Sequence, residues 1–446
     1  MYCFRKVASH YRKYKLGRTS GLSNPGDGSM TRSDMLDPQD DCQHLRDPEV
    51  SMTPRTLTLP VEIWEAIIDE VSGPVLWDYR FRRPSTETLR ACSLTCRSWQ
   101  TRSQWNLFRF LRVNRRRDVM TTQDVSRVRP NHTGAVRHLD IIDTNPFADD
   151  SLKAYGVSQL VTDLLPLLAA LEGIRFCNIN LSPLDHGAMH TFTLLTSLRR
   201  LYLDEASLAS LTQLEALVLS LPSLTQLSLE SLDFSESAPE TSSYPNLAEH
   251  SRLPRLQTVK ITYDHIHPPP IVLYDWLSRT PVTVSLTSFT YVGMQSIYSR
   301  VDEKAPAVAR LLRARGTLLR ELTLSACLFN SPELYTGLQA CPALRRLCIR
   351  DATKYLLGCV NLALPYIRSS LSQMCFEFTN VMARREPDDD RVWQALDNIL
   401  QNTPFQNLNE VSLRRSPCDP STRLPRTSDR GILTFTVDNG WPYDSD

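Results

Sequence analysis

Residues 221–229 read Leu221-Pro222-Ser223-Leu224-Thr225-Gln226-Leu227-Ser228-Leu229, a phrase with apolar residues at positions 0, 3, 6 and 8. Its closing Leu-x-Leu has the period of two of a strand with one buried face. The phrase returns along the chain as Trp105-Phe108-Leu111-Val113, Leu168-Leu171-Ile174-Phe176, Leu195-Leu198-Leu201-Leu203, Leu253-Leu256-Val259-Ile261, Cys341-Leu344-Leu347-Ile349 and Phe405-Leu408-Val411-Leu413. Shorter copies end on Ile141, Tyr291, Leu324 and Phe376. The third positions fall at 111, 139, 174, 201, 227, 259, 289, 322, 347, 374 and 411, so the mean period is about 30 residues. In a chain that is 41% hydrophobic, single copies also arise by chance; the spacing and the leucine content of the best copies carry the argument. Leu211-Leu214-Leu217-Leu219 fits the phrase but stands ten residues ahead of the copy at Leu221, and is expected to be an outer-side helix.

A unit of about 30 residues cannot bury its own apolar face, whereas stacked copies share a continuous core. The expected fold class is therefore α/β: a curved solenoid with a parallel sheet on its concave side and a helix or loop returning on the outer face of each repeat. The repeats resemble degenerate leucine-rich repeats, although the asparagine that often follows the strand in that family is largely missing. Ile432 to Val437, ILTFTV, alternates like a last edge strand that Trp441 helps to close.

The stretch Leu57–Trp99 has a different pattern. Ile63, Ile67 and Val71 stand four apart beside Trp64 and Ile68, with Pro60 suited to a first helical turn and Gly73-Pro74 ending the run. A polar loop follows, then a second helix capped by Ser85 or Thr86, on which Leu89, Cys92, Cys96 and Trp99 share one face. A third short helix is expected over Thr101 to Phe108. Leu59-Pro60-x-Glu62-Ile63-x-x-x-Ile67, then Leu94-x-Cys96-Arg97-x-Trp99, then Leu107-Phe108, resembles the F-box motif in its usual order. The loop between the first two blocks is longer than in compact members and resembles fungal forms. The resemblance implies a three-helix module that docks on the Skp adaptor, and through it on the cullin scaffold, of an SCF-type ubiquitin ligase. It assigns Leu59, Pro60, Ile63, Ile67, Leu94, Cys96 and Trp99 to the adaptor interface or its immediate support. Residues 1–54 read as a disordered lead, 55–108 as the F-box, 109–418 as the repeats and 419–446 as a C-terminal cap strand and tail. The helical unit is expected to serve also as the N-terminal cap of the array.

Fifty basic against 49 acidic residues give a formal net charge of +1, which recommends neither nucleic acid nor an acidic membrane as partner. Eleven cysteines without framework spacing, and the lack of a signal peptide or a long apolar run, point to a reducing cytoplasmic or nuclear compartment. The sequence holds no glycine-rich phosphate loop, no HExxH and no paired Cys-x-x-Cys motifs. His265-x-His267 with Asp264 lacks an evident fourth ligand, and Asp388–Asp390 lacks the further spacings of a calcium loop. No catalysis, cofactor or metal is expected. A target protein is expected on the concave face, where Arg175, Tyr202, Asp204, Glu230, Lys260 and Arg350 flank the inward leucines in alternating sign. The two open readings are an adaptor that recruits this target to a ubiquitin ligase and a repeat scaffold with no such association.

Overall fold

The computed structural model describes residues 60–72, 82–128, 130–143, 152, 156–234, 253–263, 271–293, 304–378, 390–414 and 420–436. The chain divides into two compact units, 1–107 and 108–446. In the first, α1 (Val61–Ser72), α2 (Arg82–Thr95) and α3 (Arg97–Phe108) are the described elements. Helix α2 starts at Arg82, so Ser85 and Thr86 lie inside it and are not its cap. The expected face shared by Leu89, Cys92, Cys96 and Trp99 is also corrected. The helix breaks at Cys96, whose carbonyl accepts from Gln100 N–H at 3.1 Å as the next helix begins. The Cys96 thiol and the Ser98 hydroxyl are hydrogen-bonded at 3.1 Å, and the Cys96 pKa is lowered by the Ser98 hydroxyl and the Trp99 N–H. Trp99 therefore belongs to α3, which is longer than the Thr101–Phe108 helix expected from spacing.

In the second unit every third position of the repeated phrase lies in a strand. The strands are β1 (Phe110–Val113), β2 (His138–Ile142), β3 (Gly173–Cys177), β4 (Arg200–Asp204), β6 (Gln226–Glu230), β8 (Thr258–Tyr263), β9 (Ser288–Gly293), β10 (Glu321–Ser325), β11 (Arg346–Ala352), β12 (Gln373–Phe378) and β13 (Glu410–Arg414). With β14 (Leu433–Thr436) at the end they form one twelve-stranded sheet in chain order, and each pairing is parallel. Two short strands, β5 (Ser207–Leu208) and β7 (Asp233–Phe234), pair separately. The register places inward residues in rows, Leu139, Ile174, Leu201 and Leu227 in one and Ile141, Phe176, Leu203 and Leu229 in the next, all 1% exposed or less. Strands of this kind need a crossover on one face to stay parallel, and the helices between them supply it. Leu211–Leu219 is one of these helices, as its early position in the repeat predicts.

Between repeats the outer helices close tightly. Helix Ala305–Arg315 meets helix Pro332–Gln339 closely enough that a Cβ on Gly337 would stand 3.0 Å from the Ala309 Cα and press the two backbones apart by a few tenths of an ångström. At the strand ends, Asn178, Glu205 and Ser231 adopt left-handed backbone, φ 55°, 49° and 46°. In that conformation their N–H groups donate to carbonyls at the ends of the next strands, those of Asp204, Glu230 and Thr262, each at 2.8 Å. The backbone thus does the work of the missing asparagines. Asn178 alone adds a side chain, donating from Nδ2 to the Asp143 carbonyl at 3.0 Å. At the C-terminal end, buried Asp397 accepts from the N–H groups of Arg426 and Thr427 at 3.0 Å and from the Thr427 hydroxyl at 2.6 Å, anchoring helix Pro425–Asp429, which precedes β14, on helix Asp390–Leu400. Trp441 lies outside the described residues.

Candidate recognition surfaces

In the helical unit, Asp69 of α1 holds α3. Its carboxylate accepts from Arg102 through both Nε and Nη2, and from Asn106 Nδ2 at 2.8 Å. The Asp69 bond raises the Arg102 pKa, with burial opposing it and the charges of Asp69 and Glu65 adding to it. Trp64 and Trp99 stack at 4.7 Å between ring centroids, and both are half-buried. Ile68 and Leu89 are the buried large apolar residues among those described in this unit. The residues assigned to the adaptor interface therefore divide. Ile63 and Ile67, one turn apart on α1, are 47% and 43% exposed, Leu94 is 69% exposed, and Val61 beside them is 52% exposed. Pro60 and Cys96 are exposed too. Trp99 instead supports the fold through Trp64, and Leu59 lies outside the described residues.

On the repeat unit, the face turned away from the inward leucines carries a second set of rows. Arg112, Asp140, Arg175, Tyr202, Ser228, Lys260 and Thr290 follow one another in register across β1, β2, β3, β4, β6, β8 and β9. The row two residues further along each strand contains Cys177, Asp204, Glu230 and Thr262. The charges that alternate in sequence become pairs here. Arg112 meets Asp140 at 3.6 Å, Arg175 is bonded to Asp204, and Lys260 stands 4.0 Å from Glu230. Arg175 and Asp204 are 11% and 15% exposed, so this bond is made in a largely desolvated setting. Burial opposes the charge on Arg175, while the bond to Asp204 and the charges of Asp204 and Asp140 raise its pKa above the ordinary value. Glu230 is displaced upward by burial first and then by the neighbouring Asp204, with Lys260 opposing. Burial and Asp204 also push the Cys177 thiol up to about 12.

Five of the six expected target residues, Arg175, Tyr202, Asp204, Glu230 and Lys260, thus stand together on four neighbouring strands. Arg350 does not join them. Strands β9 and β10 separate it, and it forms its own pair with Glu377 at 2.8 Å. Sequence reasoning also missed three exposed arginines at the N-terminal ends of neighbouring strands. The N–H groups of Arg345 and Arg346 both donate to the Arg320 carbonyl, at 2.8 and 2.9 Å, which places the three side by side. The available signal was their fixed place just ahead of the first strand leucine. Among the described residues no group of three His, Cys, Asp or Glu is placed to hold a metal ion. The His265–His267 pair lies outside the described residues.

No protein-family model matches the chain, and no curated protein matches it. Among solved structures, it is similar to an internalin from Listeria monocytogenes at 13% identity and TM-score 0.24, over 63% of this chain and 81% of that one. It is also similar to TLR13 in its complex with ssRNA13, at 14% identity and TM-score 0.25, over 64% of this chain and 43% of that one. Scores of this size carry no argument. The repeat architecture rests on the strand order, the register and the period of the leucines. No described helix is long and apolar enough to cross a membrane.

Proposed function

We propose that this chain is the substrate-recognition adaptor of an SCF-type cullin-RING ubiquitin ligase, a binding protein that performs no chemistry and works in the cytoplasm or nucleus. The helical unit docks on the Skp adaptor, and the open face of the repeats holds a target protein. One observation carries the reading: Ile63, Ile67 and Leu94, the residues at the apolar positions of the F-box pattern, are exposed in a unit where Ile68 and Leu89 are the large apolar side chains buried among the described residues. Covering such residues stabilises a complex by about 1.5–3 kcal/mol for each fully buried side chain, and a small three-helix unit is short of burial without a partner. The purified full chain is expected to bind a purified Skp adaptor. Ile63→Glu is expected to weaken that binding by at least about 30-fold, with circular dichroism and melting temperature unchanged. A wild-type chain that fails to bind the adaptor, under conditions where an authentic F-box protein binds, refutes the proposal.

The second reading, a protein-binding scaffold without a ligase, is favoured by the repeat unit's own continuous core. The Ile63→Glu full chain separates the two. Partners lost with this variant belong to the ligase, and partners retained are targets of the repeat face. The scaffold reading predicts that nothing is lost.

A further inference from the structure

The row that begins with Arg112 ends quite differently from how it starts. Across β10 to β13 it reads Thr323, Cys348, Cys375 and Ser412 in register, so two cysteines stand side by side on neighbouring parallel strands. Register neighbours in a sheet lie about 4.8 Å apart, inside the Cα window of roughly 4.4–6.8 Å that a disulfide spans. Both cysteines are free, and their shared register puts both side chains on the same face of the sheet. The pairing of β11 with β12 stays regular through Cys348–Cys375 and Ile349–Phe376 and shifts register only beyond Ile349. Groups around the pair distinguish the two sulfurs. The Cys348 side chain lowers the Cys375 pKa, burial opposes this, and the Ser412 hydroxyl and the Arg414 charge add to the lowering while Glu377 works against it. The Cys375 side chain and burial raise Cys348, with Arg350 opposing. These surroundings favour the thiolate at Cys375 over the thiolate at Cys348. Cys375 is 3% exposed and Cys348 partly exposed, so a small oxidant reaches the pair more readily than a bulky disulfide.

We propose that Cys348 and Cys375 form a reversible oxidation site that takes a hydroperoxide as its substrate and becomes an inter-strand disulfide on the open face. The Cys375 sulfur attacks the terminal peroxide oxygen, the O–O bond breaks, and the departing hydroxide or alkoxide takes up the proton that Cys375 has lost. Cys375 is then a sulfenic acid. The Cys348 sulfur attacks it, the S–S bond forms, and the sulfenic hydroxyl leaves with the Cys348 proton as water. Two electrons pass from the sulfur pair to the peroxide, and a dithiol returns the site to its starting state.

The test treats the purified full chain with hydrogen peroxide, blocks free thiols, and maps peptides without reduction. A peptide linking Cys348 to Cys375 is expected, formed about tenfold faster than buried Cys341 is lost and abolished by dithiothreitol. In Cys348→Ser, dimedone should trap a sulfenic acid at Cys375. In Cys375→Ser, oxidation of Cys348 should fall to the rate of Cys341. The proposal is overturned if the pair stays unlinked while other cysteines oxidise, or if Cys92 and Cys96 link in its place. It also fails if Cys348 oxidises as fast without Cys375. The wild-type map decides the matter even if a serine variant folds poorly.

Discussion

The two units use the same apolar residues in opposite ways. In the repeats, Leu201, Leu203, Leu227 and Leu229 are 1% exposed or less, each held by the row before and the row after. In the helical unit, Ile63, Ile67 and Leu94 remain between 43% and 69% exposed, although their spacing is just as regular. Periodicity in a sequence says that a face is apolar; it does not say who covers it. A repeat brings its own cover because the next copy is already in the chain, whereas a three-helix unit has no such neighbour in its own pattern. The contrast therefore assigns stability to one set of residues and leaves the other exposed, as the proposed adaptor docking requires.

Truncation should show this most strongly. Leu203→Ala leaves a cavity between packed rows and is expected to cost about 2–5 kcal/mol, whereas Leu94→Ala should change stability by less than about 0.5 kcal/mol. Urea denaturation of the full chain, followed by circular dichroism, measures both. Equal costs would mean that the exposed leucine is structural and that the contrast is false.

The strands were legible in the sequence because every repeat needs the same inward pair, so the pattern is written eleven times. The helix break at Cys96 was not, because the spacing of three and four continues across it from Leu89 to Trp99 while a change in backbone redirects the later residues. The left-handed residues Glu205 and Ser231 were hidden for a related reason: a backbone N–H makes the bond, and no particular side chain has to be present. The ion pairs of the open face were half legible. Arg175 and Asp204 could be placed on that face from the leucines beside them. Their bond joins residues 29 apart and depends on register, which composition and alternation do not contain.

That bond offers the next test. Arg175→Met leaves Asp204 largely desolvated without its partner and is expected to cost about 2–3 kcal/mol. Adding Asp204→Leu should recover much of the loss, since the buried charge then disappears as well. The open face would then resemble the inward face in depending on local cover. If Arg175→Met melts with the wild type, this face is solvated throughout, and its charges are free to serve a target singly.

The smallest effect comes from Glu230, and its sign separates the two faces further. Its folded pKa is raised, by burial and by Asp204, above the value it has in the unfolded chain. The protonated form is thus favoured by folding. The associated stability is fully present below the unfolded pKa and is lost as pH rises through the folded one, so at neutral pH the ionised side chain is a liability. Glu230→Gln should accordingly raise stability at pH 7 by roughly a few tenths of a kcal/mol, a modest gain because the carboxylate is partly solvated. The advantage should shrink as pH falls through the carboxylate range and vanish below about pH 4. Paired urea titrations at pH 7 and pH 4 would show it. A variant less stable than wild type at pH 7 would mean that the 4.0 Å contact with Lys260 outweighs both burial and Asp204. Glu230 would then be a structural ion pair, whereas the predicted gain marks it as a carboxylate held at some cost on the face that a cationic group of a target would relieve.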